Sequence, residues 1–274
     1  MSGGSIFLPK NVNIDDISIG PLKSPAGKKG DSGKKNVSQA RYASLKLNND
    51  MFSLQIPEMK TPFGVNVWDN DNGTKKYSIL LSFDGLNERM PLQVFKKLFE
   101  DIDNKVLQHA LDNSQEWFKK KYNNLEVVKA IFTPSIKPSI DKETGEVTDR
   151  WPSKIKIDLE QKDGQFLFEC FDKKQNRVDI LEHDMKKGSI ITIIQCGGIW
   201  VVGGKFGIKW KAKQICIKPV KNFKEFAFID NPEDNLDDED NSDDDDEKKN
   251  DSPKFVEDDS DDDEDDDEDD EDDE

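Results

Sequence analysis

The 274-residue chain has few of the residues from which metal and redox sites are built. It contains three cysteines, Cys170, Cys196 and Cys216, and two histidines, His109 and His183. The odd cysteine count and the lack of a Cys-x-x-Cys pair argue against a disulfide framework and favour a reducing, intracellular compartment. A tetrahedral zinc site needs four nitrogen or sulfur ligands, usually in close pairs. We therefore expect no metal and no cofactor.

Long apolar runs and catalytic motifs are also lacking. No stretch approaches the roughly 20 apolar residues that a membrane-spanning helix needs, and the opening MSGGSIFLPK has no signal-peptide core. The segment GGIWVVGGKFG at 197–207 matches neither a P-loop nor a dinucleotide fingerprint, and we interpret its first four glycines as hairpin turns. No nucleophile–base pair is evident either. We expect a soluble protein that is not an enzyme.

Charge is divided between a basic body and an acidic tail. The formal net charge is −18, but residues 230–274 hold 30 of the 58 acids and only 3 of the 40 basic residues. The tail therefore carries −27, and residues 1–229 carry +9. Because so acidic a sequence cannot bury enough apolar surface to fold, we predict a disordered tail. The two parts select opposite partners.

Hydrophobic periodicity predicts a mainly β fold with an α insert. Residues 1–39, rich in Gly, Ser, Lys and Asn, are expected to form a flexible, disordered basic arm. Short alternating segments bounded by turn residues begin near Arg41 and resume later in the chain, which indicates strands. Between them apolar residues recur every three or four positions, which indicates helices with a break near Asn113. We predict an OB-like antiparallel β-barrel over residues 40–229 with a helical insert at 90–122.

One predicted strand carries its lysines on a single face. From Phe206 the sequence alternates, with Phe206 and Trp210 on one side and Lys209, Lys211 and Lys213 on the other. Successive lysines of such a row stand roughly 6.6 Å apart. The alternation inverts around residue 214, and a β-bulge at that point would explain the inversion.

The surroundings of this strand contain no acids. Residues 185–224 include nine lysines and neither Asp nor Glu. Like charges in a row repel one another, so we infer that an external polyanion neutralises them. A solvated lysine face, or a lysine row that protects a sheet edge from pairing, would give the same sequence.

A protein that binds single strands without sequence preference needs a basic groove for phosphates and aromatic rings on which bases stack. This chain offers both, and we predict sequence-independent binding of single-stranded DNA. Core packing is the favoured alternative for Phe206 and Trp210, whereas Trp68 and Trp151 lie beside polar or turn residues and are better stacking candidates. The predicted DNA-binding residues are Lys205, Phe206, Lys209, Trp210, Lys211, Lys213, Trp200, Arg150, Trp151, Lys154, Lys156, Trp68 and Tyr77.

The acidic tail is a candidate competitor for the same groove. Tethered to the body, it would face the lysines at an effective concentration in the millimolar range. A nucleic-acid strand would displace it and free it to dock on replication proteins, with Phe255, its only aromatic residue, as the docking residue. Three alternatives stay open: a tail that only adds solubility, an acidic-tailed chaperone for histones or other basic proteins, and an RNA-binding protein.

Three segments carry a family resemblance: TPFGV at 61–65, KYSILLSF at 76–83 and GGIWVVGGKFGIKWKAKQ at 197–214. Through them residues 40–225 resemble the replication-type single-stranded-DNA-binding proteins of large eukaryotic DNA viruses. The acidic tail is similar to that of phage single-stranded-DNA-binding proteins, although phage tails of this type tend to end in an aromatic residue and this chain ends in Glu274.

The resemblance implies an OB-like barrel that coats exposed viral DNA during replication, recombination and repair. Two further options are a homo-oligomer and cooperative binding along DNA, and we expect no membrane to be involved. The expected location is the host cytoplasm (a viral factory) or nucleus, with packaging in the virion as a further option.

Overall fold

The computed structural model describes residues 5–24, 40–69, 73–141 and 143–218. This part of the chain is mainly β with three α-helices, α1 (Met90–Asp112), α2 (Ser114–Phe118) and α3 (Leu125–Ala130). Its strands are β1 (Ile6–Phe7), β2 (Ile17–Ile19), β3 (Arg41–Ala43), β4 (Leu45–Leu47), β5 (Ser53–Gln55), β6 (Met59–Thr61), β7 (Val65–Asp69), β8 (Lys75–Ser82), β9 (Phe132–Thr133), β10 (Ile136–Lys137), β11 (Lys154–Asp158), β12 (Gln161–Lys162), β13 (Gln165–Phe166), β14 (Glu169–Phe171), β15 (Gly188–Val202) and β16 (Lys205–Lys218). Short 3-10 turns lie at Pro9–Asn11, Ile14–Asp16 and Ile180–Glu182.

Twelve of these strands form one mixed sheet. Its main path runs β1-β5-β15-β6-β8-β11-β16-β14, with β3 beside β15, β7 beside β8, β9 beside β16 and β10 beside β11. Strands β15 and β16 also pair with each other as a long hairpin. The pairings of β1 with β5, and of β9, β11 and β14 with β16, are parallel.

The sheet is not closed into a barrel, which corrects the antiparallel barrel predicted from the sequence. Pairings can be followed from β15 through β6, β8 and β11 to β16, which also pairs with β15. This circuit is not a continuous barrel wall, because two of its links consist of one residue pair each. They are Lys60 with Ser82 and Asp158 with Lys211. Periodicity within a strand predicts which side chains face outward, but it does not specify the direction or number of neighbouring strands.

Glycines shape the β15–β16 hairpin in two different ways. Gly203 and Gly204 form the turn that was predicted, with φ of 56° and 80°, the left-handed conformation that a two-residue hairpin turn requires. Gly197 and Gly198 lie inside β15 at a register shift, so the prediction of a second turn there was wrong. The predicted bulge in β16 is confirmed: Ile193 and Ile194 face Gln214 and Ala212, which leaves Lys213 as the extra residue.

The helical insert packs on the sheet through its apolar stripe. Phe95 of α1 stacks on Phe83 at 5.6 Å between ring centroids, and Phe99 contacts Trp210 of β16 at 4.4 Å. Asn113 separates α1 from α2, as the sequence predicted, and α3 follows beyond the expected end of the insert. No helix in the described part of the chain combines the length and apolar character that a membrane crossing requires.

Residues 5–24 are ordered against the core, which corrects part of the predicted flexible arm. Strand β1 pairs with β5, strand β2 pairs with β4, and Ile17 is buried. The apolar residues of SIFLPKNVNIDDISI at 5–19 supply this burial, which the glycine- and lysine-rich composition of residues 1–39 as a whole did not indicate. Residues 25–39 and the acidic tail at 230–274, including Phe255, lie outside the described residues, and the predicted domain boundaries stay predictions.

Candidate nucleic-acid interface

The outer face of β11 is built from alternating charged side chains. Ile155, Ile157 and Leu159 are buried, so the intervening residues at 154, 156, 158 and 160 share the opposite face. On the neighbouring strand β8, the residues at 82, 80 and 78 lie beside 154, 156 and 158. The register between β7 and β8 places Trp68 beside Lys76, on this same face.

Two lysine–aromatic pairs lie on this face, and we call Phe63, Trp68, Lys154 and Lys156 the aromatic–lysine patch. Lys154 Nζ is 4.7 Å from the ring centroid of Phe63, and Lys156 Nζ is 4.5 Å from that of Trp68. Both rings remain open to solvent, with 51% of Phe63 and 41% of Trp68 exposed. An exposed ring beside an ammonium group offers a stacking surface and a phosphate partner at one point.

Further cations surround the start of β11. Lys137 of β10 pairs in register with Lys154 and is exposed. Arg150 and Trp151 precede the strand, with the guanidinium carbon 5.7 Å from the ring centroid and 61% of Trp151 exposed. Among the described residues, Lys137, Lys154 and Lys156 form no ion pair, so their charges are available to an anion.

Two of the three lysines in the β16 row, Lys209 and Lys211, are neutralised by acids of the protein itself. Lys209 Nζ lies 3.1 Å from Glu160 Oε1 and 3.4 Å from Asp158 Oδ2, and Lys211 Nζ lies 3.2 Å from Glu160 Oε2. The register that sets Asp158 beside Lys211 brings these acids to the row. This corrects the inference that an external polyanion neutralises Lys209 and Lys211, because the segment of β11 supplies the acids that the local sequence lacks.

The ion pairs shift the pKa values of Lys209 and Glu160. Burial alone would lower the pKa of Lys209, but its hydrogen bond to Glu160 and the charge of Asp158 outweigh burial and raise that pKa. Burial alone would raise the pKa of Glu160, but Lys209 and Lys211 outweigh it and lower the value. Lys209 and Glu160 are therefore both charged at neutral pH. Lys205 and Lys213, at the turn and the bulge, are exposed.

Two of the predicted stacking residues lie in the core. Phe206 is fully buried and contacts Phe132 at 4.9 Å between ring centroids, and Trp210 is 2% exposed. The predicted DNA-binding role of these two residues is therefore corrected to core packing. The parity of β16 turns Trp210 toward α1 and Phe206 toward α2, away from the lysine row. Core packing is the alternative that the sequence already favoured.

Trp200 and Tyr77 are half-buried rather than free. Trp200 lies so close to Gly207 that a Cβ added to this glycine would come within 2.8 Å of the indole ring. Tyr77 makes an edge-to-face contact with Phe166 at 5.1 Å, and alternation along β8 turns it to the side opposite Ser78 and the aromatic–lysine patch. The structure thus brings together Trp68, Lys154 and Lys156, with Arg150 and Trp151 beside the same strand, and separates them from Trp200 and Tyr77.

A buried polar network fixes Trp210 in place. Its indole N–H donates to Ser135 Oγ at 3.1 Å, and the Ser135 backbone N–H and hydroxyl donate to Asp103 of α1 at 2.8 and 2.7 Å. Burial raises the pKa of Asp103 to about 6, although the hydrogen bonds from Ser135 oppose the shift. The network links α1, the segment before β10 and β16.

Phe63 and Lys137 complete the interface but were not among the predicted site residues. TPFGV at 61–65 contributed only to the family resemblance, and nothing in the local sequence indicates the contact of Phe63 with Lys154 on a distant strand. Within the described ranges, no three His, Cys, Asp or Glu side chains lie close enough together to hold a metal ion.

Several solved structures show a distant likeness to this chain. The crystal structure of gp2.5, a single-stranded DNA binding protein encoded by bacteriophage T7, has 8% identity and a TM-score of 0.41, over 71% of this chain and 100% of that chain. The single-stranded DNA-binding protein from bacteriophage Enc34 in complex with ssDNA has 10% identity and a TM-score of 0.37, over 70% of this chain and 97% of that chain. At such identities and TM-scores we base no argument on these likenesses.

Sequence comparison gives a clearer result than the structural likenesses. No curated protein matches it. The model of a family described as "Family of unknown function (DUF5871)" matches residues 80–230, which is more than half of the chain and spans α1 to β16. The chain belongs to this family, DUF5871.

Proposed function

We propose that this protein binds single-stranded DNA without sequence preference through the aromatic–lysine patch. The observation that carries the proposal is the placement of two solvent-exposed rings, Phe63 and Trp68, each within 5 Å of a lysine that has no ion pair among the described residues. Base stacking on a ring contributes roughly 1–3 kcal/mol per base and tolerates any base, since every base has a π face.

The cations around the patch support the same function. Lys137 and Arg150 extend the charge of Lys154 and Lys156 toward Trp151, so that a third exposed ring adjoins the cationic surface. A single strand has unstacked bases and phosphates available together, whereas a duplex hides its base faces. The arrangement therefore favours single strands over duplex DNA.

The finer roles belong to the same proposal. We propose an OB-like fold that coats exposed strands during viral DNA replication, recombination and repair, as the family resemblance of residues 61–65, 76–83 and 197–214 implies. The acidic tail competes for the patch and docks partner proteins through Phe255. Charge supports this competition, because the tail carries −27 and the rest of the chain +9.

The test is a titration of the full chain with oligo-dT, oligo-rU and duplex DNA at two salt concentrations, followed by fluorescence anisotropy of the labelled oligonucleotide and by tryptophan quenching. We expect oligo-dT to bind more tightly than duplex. Phe63→Ala/Trp68→Ala should weaken binding, and Trp68→Phe should remove part of the quenching while retaining most of the affinity. Equal binding of oligo-rU would extend the function to RNA.

The matched control is Lys173→Ala/Lys174→Ala, which removes two exposed lysines from the turn after β14. This variant has the same change of net charge as Lys154→Ala/Lys156→Ala, which removes the two lysines of the patch. Duplex DNA bound as tightly as oligo-dT, or wild-type affinity in Phe63→Ala/Trp68→Ala, would contradict the proposal.

A further inference from the structure

The charge on the outer face of β11 changes sign halfway along its length. Positions 154 and 156 are lysines, and positions 158 and 160 on the same face are acids. The lysines contact aromatic rings and the acids contact lysines of β16. One side of this face therefore suits an anion, and the adjoining side is already neutralised.

The acids interrupt what would otherwise be a continuous cationic surface. Asp158 lies in register beside Lys211, and Glu160 contacts both Lys209 and Lys211 at 3.1 and 3.2 Å. Without these carboxylates, the lysines of β11 and of β16 would form one field across two neighbouring strands. A phosphate entering the β16 side would meet two carboxylates and two ammonium groups that are already paired.

We propose that Asp158 and Glu160 set the end of the DNA-binding face, a role that rests on the proposed function. They keep Lys209 and Lys211 out of phosphate contact, confine the strand to the aromatic–lysine patch and its surrounding cations, and limit the affinity. The two acids are thus determinants of footprint and strand release rather than ligands of DNA.

The test uses Glu160→Gln, alone and combined with Asp158→Asn, in the full chain. Binding of labelled oligo-dT is measured by anisotropy between 50 and 200 mM salt. Each additional phosphate contact makes the slope of log K against log salt steeper by about 0.7. In the double variant, which frees both Lys209 and Lys211, we expect the slope to steepen by up to about 1.4. In Glu160→Gln, which frees Lys211 while Asp158 still faces Lys209, we expect the slope to steepen by about 0.7.

The steeper slope also determines how strongly salt weakens binding. Two additional contacts over a fourfold change of salt correspond to about a 7-fold larger loss of affinity between 50 and 200 mM. The shortest oligo-dT that saturates the protein should also lengthen. Adding Lys209→Ala and Lys211→Ala to the double variant should return the slope to the wild-type value, which assigns the gain to these two lysines.

The control is Glu126→Gln, which removes an acid that pairs with Lys129 on α3 at 2.8 Å. It makes the same change in net charge as Glu160→Gln, so an equal gain in both variants would reduce the effect to overall charge and overturn the inference. Wild-type slope and affinity in Glu160→Gln and in the double variant would also overturn it, while leaving the proposed function intact. Failure of the wild-type protein to bind oligo-dT would remove the proposed function itself.

Discussion

The sharpest prediction compares two lysine pairs that look alike in sequence. Lys154→Ala/Lys156→Ala removes cations that have no ion pair among the described residues. Lys209→Ala/Lys211→Ala removes cations that Asp158 and Glu160 already neutralise. Both double variants lose two positive charges, so overall charge does not distinguish them. We expect only the first pair to change the number of phosphates that the protein neutralises.

The expected magnitude follows from counterion release. For single strands, log K falls with log salt by about 0.7 per phosphate neutralised, so the loss of Lys154 and Lys156 should flatten the slope by about 1.4. Over the fourfold range from 50 to 200 mM salt, the variant should lose about 7-fold less affinity than the wild type does. The slope of Lys209→Ala/Lys211→Ala should stay close to that of the wild type.

Slope is the decisive measurement because affinity alone mixes two effects. Removal of Lys209 and Lys211 leaves Asp158 and Glu160 unpaired, and these carboxylates would repel DNA without any phosphate contact being lost. Anisotropy titrations with oligo-dT at four or more salt concentrations separate the two effects. A flatter slope in Lys209→Ala/Lys211→Ala, combined with an unchanged slope in Lys154→Ala/Lys156→Ala, would refute the assignment of the interface to the patch.

Three further predictions follow from the same structure. Trp68→Ala should weaken oligo-dT binding about 5- to 140-fold, the equivalent of roughly 1–3 kcal/mol of stacking, and an unchanged anisotropy titration would place the bases elsewhere. The pKa of Asp103 is raised from 3.8 to about 6. Its contribution to the stability of the fold is therefore complete only below pH 3.8 and is lost as the pH rises through about 6. Between pH 4 and pH 7 the free energy of unfolding of Asp103→Asn should therefore improve relative to wild type by about 2 kcal/mol. Urea unfolding curves that keep a constant difference would contradict this, and His109, which also titrates, is common to both proteins. In Gly207→Ala the new Cβ would lie 2.8 Å from the Trp200 ring and 2.9 Å from the Thr133 carbonyl oxygen, so we expect a loss of about 1–3 kcal/mol, and an unchanged melting temperature would show that both neighbours can shift.

Strand β16 illustrates how far periodicity within the sequence predicts structure. Alternation placed Phe206 and Trp210 opposite the lysines, and the inversion around Gln214 indicated the bulge that the structure contains. Both features depend on the period of two in a single strand. The neutralisation of the lysines depends on Asp158 and Glu160, which belong to another strand and meet the row only through the register of β11 against β16.

The aromatic–lysine patch also combines residues that the sequence predicted with contacts that it did not predict. Trp68, Lys154 and Lys156 were predicted one by one, from an aromatic residue beside a turn and from alternation in KIKID. Their pairing, and the inclusion of Phe63, arise because β7 and β11 both flank β8. A contact between two strands that are separated by a whole helical insert leaves no local signal, so the sequence could predict the components of the patch but not its assembly.

The ion pairs on β16 also give Lys209 and Lys211 a role within the sheet. Strands β11 and β16 are linked by a single backbone pair, Asp158 with Lys211, so side-chain contacts must contribute to this junction. The side chains of Lys209, Lys211 and Glu160 are partly buried, with exposures of 37, 25 and 28%. Such pairs are less screened by solvent than fully exposed ones. Glu160→Gln should therefore weaken the junction while it strengthens DNA binding. Stability and affinity moving in opposite directions in this one variant would show that these lysines serve the sheet, and that lysines without a carboxylate partner serve the nucleic acid.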